Sequence, residues 1–377
     1  MTNYENTKTI YLPGLNGLRA ISALAVVISH TTLALDEFGL KNQIFGTDIQ
    51  GNENSLSLAI HGVTIFFTLS GFLITYLSLK EKEKGKLKIK EFYIRRILRI
   101  LPLYYLYLAI SLLTMFCFGL SPNKIYITFY LFLAANIPFI LENAQPFLLH
   151  YWSLGVEEQF YLFFPQIAKL SNKRFFQISI TLIFILLSLK LAFWLLDKRY
   201  DMRIPYIAIS VTRFHTMLIG VVAAILYYYN NSRFFAISTH KITQIVSWTV
   251  ILLLGLNKFH LASIIDGEIV SIVTVFLIMG QITKRNNLIN LENAVCDFIG
   301  KISYGIYVIH PLLIFYFAKL IGHFKSDTFA NYLLVYSLIL LTTILIAYLS
   351  YEFYEKRFLK LKSKYSTVKS ANTKHSR

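Results

Sequence analysis

Phe329-Ala-Asn-Tyr-Leu-Leu-Val-Tyr-Ser-Leu-Ile-Leu-Leu-Thr-Thr-Ile-Leu-Ile-Ala-Tyr-Leu-Ser-Tyr351 runs for 23 residues without a charge. A helix that crosses the hydrocarbon core of a bilayer needs roughly 20 predominantly apolar residues, so this stretch predicts a membrane span. Comparable runs lie near Leu15–Leu35, Ser57–Leu79, Ile97–Leu120, Ile125–Leu141, Phe175–Leu196, Ile204–Tyr229, Ile242–Leu256, Leu261–Ile282 and Phe298–Ile321. The fold class that follows is all-α: a polytopic membrane helical bundle of about ten transmembrane helices. It occupies residues 1–364 as one membrane domain, and 365–377 is expected to be a disordered cytoplasmic tail.

Composition supports this reading. Hydrophobic residues make up 55% of the 377 positions and charged residues 15%, unlike the usual balance of a soluble domain. The formal net charge of +17 does not point to nucleic acid, because Lys and Arg sit in short segments between apolar runs rather than among aromatics on one face. Membrane orientation accounts for them. Cys117 and Cys296, the two cysteines, build neither a disulfide framework nor a zinc-ligand spacing, and no metal is expected. The polar start, Met1 to Pro13, leads into a run that carries Arg19 and lacks a small-residue cleavage site, so that run is expected to stay as a span.

Basic loops favour the cytoplasmic side. They place the Lys80–Arg99 loop, with its solvated Lys/Glu run, on that side together with Arg233–Lys241, Lys284, Arg285 and the tail from Lys356. Both termini are then cytoplasmic, and the acidic loop with Asp36, Glu37, Asp48 and Glu53 is external. The segment near 145–168 is read as re-entrant or interfacial, because a further full span there would move Lys169, Lys173 and Arg174 outside.

Polar residues inside apolar runs carry the functional information, since a charge in lipid costs several kcal/mol unless it meets water or a partner. Arg19 lies in the first run, and His30 follows eleven residues later on the same helix face, about 16 Å further along the axis. One face is thus expected to line a polar passage through the membrane. His30 is either a general base or a hydrogen-bonded histidine at a helix end. Arg95, Arg96 and Arg99 open the third run and can project to one side of the helix start. They suit phosphate recognition through paired donors or serve as an ordinary cytoplasmic basic end.

Trp152-Ser-Leu-Gly-Val-Glu-Glu-Gln-Phe-Tyr161 sets two carboxylates in an apolar, aromatic segment. Glu157 either orients an imidazole and moves a proton, or pairs with one of the arginines. In Gly62-Val-Thr-Ile-Phe-Phe-Thr-Leu-Ser-Gly71 the small residues permit close helix packing, and Ser70, which lacks a nucleophile-elbow pattern, is a hydrogen-bonding candidate. Ser303 and His310 stand seven apart in Ser303-Tyr-Gly-Ile-Tyr-Val-Ile-His-Pro311, two turns along one face, where Pro311 can kink the helix. They form a pocket wall, or His310 is a satisfied histidine at a kink. Arg213, near His215, is read as snorkelling to a membrane edge.

Taken in order, Gly17-Leu-Arg-Ala20 with His30, Phe67-Thr-Leu-Ser-Gly-Phe72, Phe92-Tyr-Ile-Arg-Arg-Ile-Leu-Arg-Ile-Leu-Pro102, the Trp152–Tyr161 segment and Ser303–His310 resemble the acyltransferase-3 family of integral membrane acyltransferases. The resemblance covers nearly the whole chain. It implies transfer of an acyl group, usually acetyl from acetyl-CoA, to a hydroxyl of a surface or secreted carbohydrate: a polysaccharide, an oligosaccharide or a lipid-linked glycan. It implies His30 and Arg19 as catalytic residues and Arg96 and Arg99 as the paired-arginine motif; with them Glu157 is expected to be catalytic and Arg95 donor-binding. Ser70, Trp152, Tyr304 and His310 are then expected to face the substrate, in a multi-pass protein of a bacterial cytoplasmic membrane. Arg357 stands where the family often has proline, a departure confined to the exit of the last helix. No hydrolase-like domain is appended, so the membrane domain is expected to act alone or with separate proteins.

A transporter or flippase of a lipid-linked sugar would also need many spans and intramembrane polar groups, and it is the alternative reading. A non-catalytic membrane scaffold comes third. Acceptor position, acyl chain and oligomeric state are not legible in the sequence.

Overall fold

The apolar runs fold as helices in the computed structural model, which describes residues 10–47, 56–85, 87–366 and 368. In chain order these are α1 (Leu15–Leu33), α2 (Leu56–Glu83), α3 (Ile89–Cys117), α4 (Lys124–Leu131), α5 (Asn136–Ile140), α6 (Tyr151–Ala168), α7 (Asn172–Tyr200), α8 (Arg203–Thr212) and α9 (Phe214–Tyr228). They continue with α10 (Ser232–Ser238), α11 (Lys241–Gly255), α12 (Asp266–Thr283), α13 (Ala294–Lys301), α14 (Ser303–Ile321), α15 (Phe329–Ser350), a π-helical turn (Tyr351–Glu355) and α16 (Lys356–Ser363). No extended strand occurs among the described residues. The chain before Ile10, the loop residues Asp48 and Glu53, and residues 367 and 369–377 of the expected tail lie outside the described residues.

Seven helical segments are long and apolar enough to cross a membrane, and the bent pair α10 and α11, at 53° to each other, brings the number to eight. Two of the ten expected runs do not qualify. The run at 125–141 breaks into α4 and α5, of eight and five residues, each far shorter than the hydrocarbon core. The first run does form α1, 19 residues long, but Asn16, Arg19, His30 and its serines and threonines lower its hydropathy. Packing tolerates this, because α1 lies against α2, α12, α13, α14 and α15 and meets helices rather than lipid. The segment near 145–168, read as re-entrant, contains one unbroken helix, α6, of 18 residues, about 27 Å long at 1.5 Å per residue.

One contact fixes which ends of the helices share a side. At the end of α2, Lys82 Nζ donates to the carbonyls of Ala168 and Leu170 at 2.9 and 2.7 Å and to Asn172 Oδ1 at 2.5 Å. The basic α2–α3 connection and the α6–α7 junction therefore lie at the same end of the bundle.

Small residues set the closest crossing. A Cβ on Gly71 of α2 would lie 2.0 Å from the Met217 carbonyl oxygen of α9, and one on Gly220 of α9 would lie 2.2 Å from that of Thr68. Only glycine permits this approach, as small residues do in membrane helix pairs. It locks the backbone that carries Ser70.

Candidate active site

A cavity opens at the end of the bundle where α1 starts and α2 finishes, with an empty volume of about 1640 Å³, part of it open to solvent. Arg19 of α1, Arg96 and Arg99 of α3, Lys301 at the end of α13 and Lys362 of α16 line it, and Glu157 and Glu355 are its carboxylates. Five cations face two acids. The three arginines make no ion pair among the described residues. Arg19 Nη1 donates to Asn16 Oδ1 at 3.2 Å, and the Arg96 guanidinium lies over the rings of Tyr161 and Phe92 at 4.8 and 5.4 Å. Three guanidinium groups in no ion pair, in a cavity where cations outnumber acids, have the chemistry that suits an anion.

The carboxylate of Glu157 serves this cavity differently from expectation. Its Oε1 accepts from Ser70 Oγ at 2.5 Å and from the Tyr161 hydroxyl. It pairs with no arginine or histidine among the described residues. The tyrosine, one helical turn after Glu157, was not singled out in the sequence, where it reads as one more aromatic at an interface.

Arg95 stands apart from its neighbours. One position round the helix from Arg96, it pairs with Glu81 of α2 at 2.8 Å and donates to the Tyr365 carbonyl at 2.8 Å. The expected common side therefore holds for Arg96 and Arg99 only. A buried carboxylate across the α2–α3 connection captures the third arginine, and no local spacing announces that partner.

Along α1 from Arg19, His30 meets a second constellation. His30 Nδ1 lies 2.8 Å from His310 Nε2, and His310 Nδ1 lies 3.1 Å from the Ile306 carbonyl. A carbonyl only accepts, so His310 Nδ1 carries the proton; in the neutral ring its Nε2 is then an acceptor. His30 Nδ1 must donate to it, which leaves the lone pair of a neutral His30 on Nε2. Two hydrogen bonds thus select the His30 tautomer. His150, at the start of α6, adds a third imidazole, its ring centre 5.4 Å from that of His310. Its Nε2 donates to the Val308 carbonyl at 3.1 Å, and its buried Nδ1 has no partner among the described residues. Sequence reasoning passed over His150, which marks only the edge of a segment.

The cavity and the histidines are adjacent but not continuous. Tyr307 and Ser153 line the cavity, their hydroxyl oxygens are 2.5 Å apart, and the Tyr307 hydroxyl donates to the His150 carbonyl at 2.9 Å. The Tyr307 ring centre is 6.2 Å from that of His310. His30 is not among the cavity-lining residues, so the cavity does not extend along α1 as far as the expected polar passage.

Tyr304 lines the cavity and donates its hydroxyl to the Ile100 carbonyl at 2.8 Å. Trp152 is buried away from it, packed on Phe139 and Phe67. Beyond Trp152, Arg213 does not snorkel as expected. It donates to Thr64 Oγ1 at 2.9 Å and to the Ser210 carbonyl at 2.8 Å, and its guanidinium lies 5.7 Å from the Trp152 ring. Near it Lys190 and His215 meet Glu268 Oε1 at 2.8 and 2.9 Å, a buried neutralising group between α7, α9 and α12. No group of three or more metal-ligating side chains is present among the described residues.

A family profile described as an acyltransferase domain matches residues 12–352. A protein of Staphylococcus aureus strain COL named "Putative O-acetyltransferase" is 29% identical over 95% of this chain and 59% of its own length. A protein of Staphylococcus aureus strain NCTC 8325 named O-acetyltransferase OatA is 28% identical over 92% of this chain and 57% of its own length. The chain thus spans under three fifths of the length of these curated relatives. No solved structure matches it.

Proposed function

Because this chain belongs to the acyltransferase-3 family, we propose that it is a membrane O-acyltransferase that moves an acyl group, acetyl in the simplest case, from acyl-coenzyme A to a hydroxyl of a cell-surface or secreted carbohydrate. One observation carries the reading: a single helix, α1, bears at one end an arginine of an anion cavity and at the other a histidine of selected tautomer. An anionic donor and a base are the two things that acyl transfer from coenzyme A requires.

The donor phosphates suit Arg96, Arg99 and Arg19, whose guanidinium groups form no ion pair among the described residues. Glu157 holds Ser70 and Tyr161 in place at the cavity wall; with Arg19 it acts at the donor end rather than on the histidine. His30 Nε2 takes the proton of the acceptor hydroxyl as that oxygen bonds to the acyl carbon, and returns it to the sulfur as the carbon–sulfur bond breaks. A base of this kind contributes about 10² to 10⁴ in rate, and positioning supplies much of the rest. Both ring nitrogens of His310 are engaged, which favours orientation of His30 over substrate contact. Ser70 and Tyr304 face the donor space, and Trp152 supports the wall behind it. The reading requires the Tyr307–Ser153 layer to part, so that thioester and base can meet.

The orientation fits this scheme. Ten passes result when α1 and α6 both cross and the run at 125–141 does not. That exchange keeps Lys169, Lys173 and Arg174 with the Lys80–Arg99 loop on the cytoplasmic side, in accord with the Lys82 contacts and the positive-inside tendency. Both termini are then cytoplasmic, the arginine cavity opens to the cytoplasm that supplies coenzyme A, and the histidines lie toward the outer leaflet where surface carbohydrate is reached.

The test is His30→Ala in cells, with ester content of surface carbohydrate measured by NMR and the protein measured in membranes. Loss of esters at normal protein level is expected. Unchanged esters would overturn the enzymatic reading and favour a transporter or flippase.

A further inference from the structure

The matched family region stops at residue 352, yet three cavity-lining side chains come from beyond it: Glu355, Leu359 and Lys362. They follow one another at spacings of four and three, the stripe of a single helix face. On the same helix Lys360 is exposed and turned away. A basic helix that merely rests on a membrane surface has no reason to turn a lysine inward toward three arginines. Lys362 faces the space shared by Arg19, Arg96 and Arg99 and forms no ion pair or side-chain hydrogen bond among the described residues. Five cations against the two acids Glu157 and Glu355 leave an excess of positive charge in the cavity, and a bound anion reduces the repulsion among them.

Other contacts hold this face against the cavity. Arg95 Nη1 donates to the Tyr365 carbonyl at 2.8 Å, just past α16. Tyr354 donates to the Pro102 carbonyl of α3 at 3.1 Å, and Lys301 Nζ lies 4.6 Å from the centre of the Tyr351 ring. The helix is thus tied to α3, the same element that presents Arg96 and Arg99.

We propose that Lys362 is a phosphate-binding residue of the donor site, supplied by a helix outside the matched family region, and that a bound anionic donor clamps α16 over the mouth of the cavity. The proposal rests on the donor reading above and extends it to a residue that the family match does not contain. The ligand chemistry is a phosphate group, and the same chemistry is offered by coenzyme A and by an anionic lipid headgroup.

The full-length protein in nanodiscs separates these. Coenzyme A binding is measured by calorimetry for the natural chain, Lys362→Ala, Lys362→Arg and Lys360→Ala, in neutral and in anionic lipid. Loss of one charge-assisted contact is expected to weaken binding by roughly tenfold or more in Lys362→Ala, with Lys362→Arg close to the natural chain and Lys360→Ala unchanged. Amide exchange over 356–366 is expected to slow on addition of coenzyme A, and not to slow in Lys362→Ala. Equal affinities of the natural chain and Lys362→Ala would overturn the proposal, as would a Lys362→Ala effect seen only in anionic lipid. If the natural chain itself binds no coenzyme A, the donor reading fails, a result distinct from failure of the Lys362 assignment alone.

Discussion

The two ends of α1 solve opposite problems. At the Arg19 end, cationic side chains outnumber acids and the arginines lack ion pairs among the described residues, an excess of charge that suits an anionic ligand. At the His30 end, hydrogen bonds run from ring to ring to backbone carbonyl, and both His310 nitrogens are engaged. An anion site gains from unmatched charge, whereas a base gains from a fixed tautomer. The difference teaches that the donor end should fail by losing affinity and the histidine end by losing rate.

The largest expected effect is therefore on turnover. His30→Ala should lower acyl transfer by about 10² to 10⁴ while coenzyme A affinity stays within a factor of about two, measured on one preparation by product mass spectrometry and calorimetry. A parallel loss of affinity would dissolve the contrast between the two ends. His310 sharpens it next. His310→Phe removes the acceptor for His30 Nδ1 and should reduce turnover on the order of 10²-fold, as loss of a tautomer-setting partner does. His310→Gln offers an amide oxygen in its place and should recover most of that loss with a shifted pH profile; a merely structural histidine would show no such rescue.

At the donor end the sign of the effect changes. Arg96→Ala and Arg99→Ala should each raise the KM for acyl-coenzyme A by about tenfold or more, from the worth of a hydrogen bond to a charged group, with smaller changes in kcat. Arg95→Ala is expected to alter donor KM least, although it is their immediate neighbour. Its consequence lies in stability: breaking a buried pair leaves Glu81 uncompensated, at about 3 kcal/mol, and should lower the thermal midpoint in detergent. A large rise in donor KM with unchanged stability would place Arg95 in the anion site after all.

Much of this was legible in the chain. Runs such as Phe329–Tyr351 announce a bilayer because lipid leaves no other use for so many uncharged residues in a row. Where runs and helices disagree, the reason is local: the apolar run at 125–141 breaks into two short helices, and α1 carries Asn16, Arg19 and His30 where it packs on other helices. Apolarity reports contact with lipid, not passage through the membrane. In the site, Arg19, Arg96, Arg99 and His30 were visible as costly residues in apolar surroundings. The pairing of His30 with His310, 280 positions apart, was not, because such a contact is made only by helix packing. Lys362 was hidden for another reason. It sits in a tail of basic residues, where one inward-facing lysine looks like all the others until the helix direction is known.

That direction depends on a single turn. Between α15 and α16 the backbone makes the wider π turn, Tyr351–Glu355, which accommodates one residue more than regular helix would. The turn therefore acts as a phase setter for everything downstream. Winding the same residues as ordinary helix, with none removed, would rotate α16 by about 100°, carrying the Leu359 and Lys362 edge off the cavity, whereas deleting one residue of the turn would leave that edge in phase. The composition of the helix would survive such a rewinding, and its address would not.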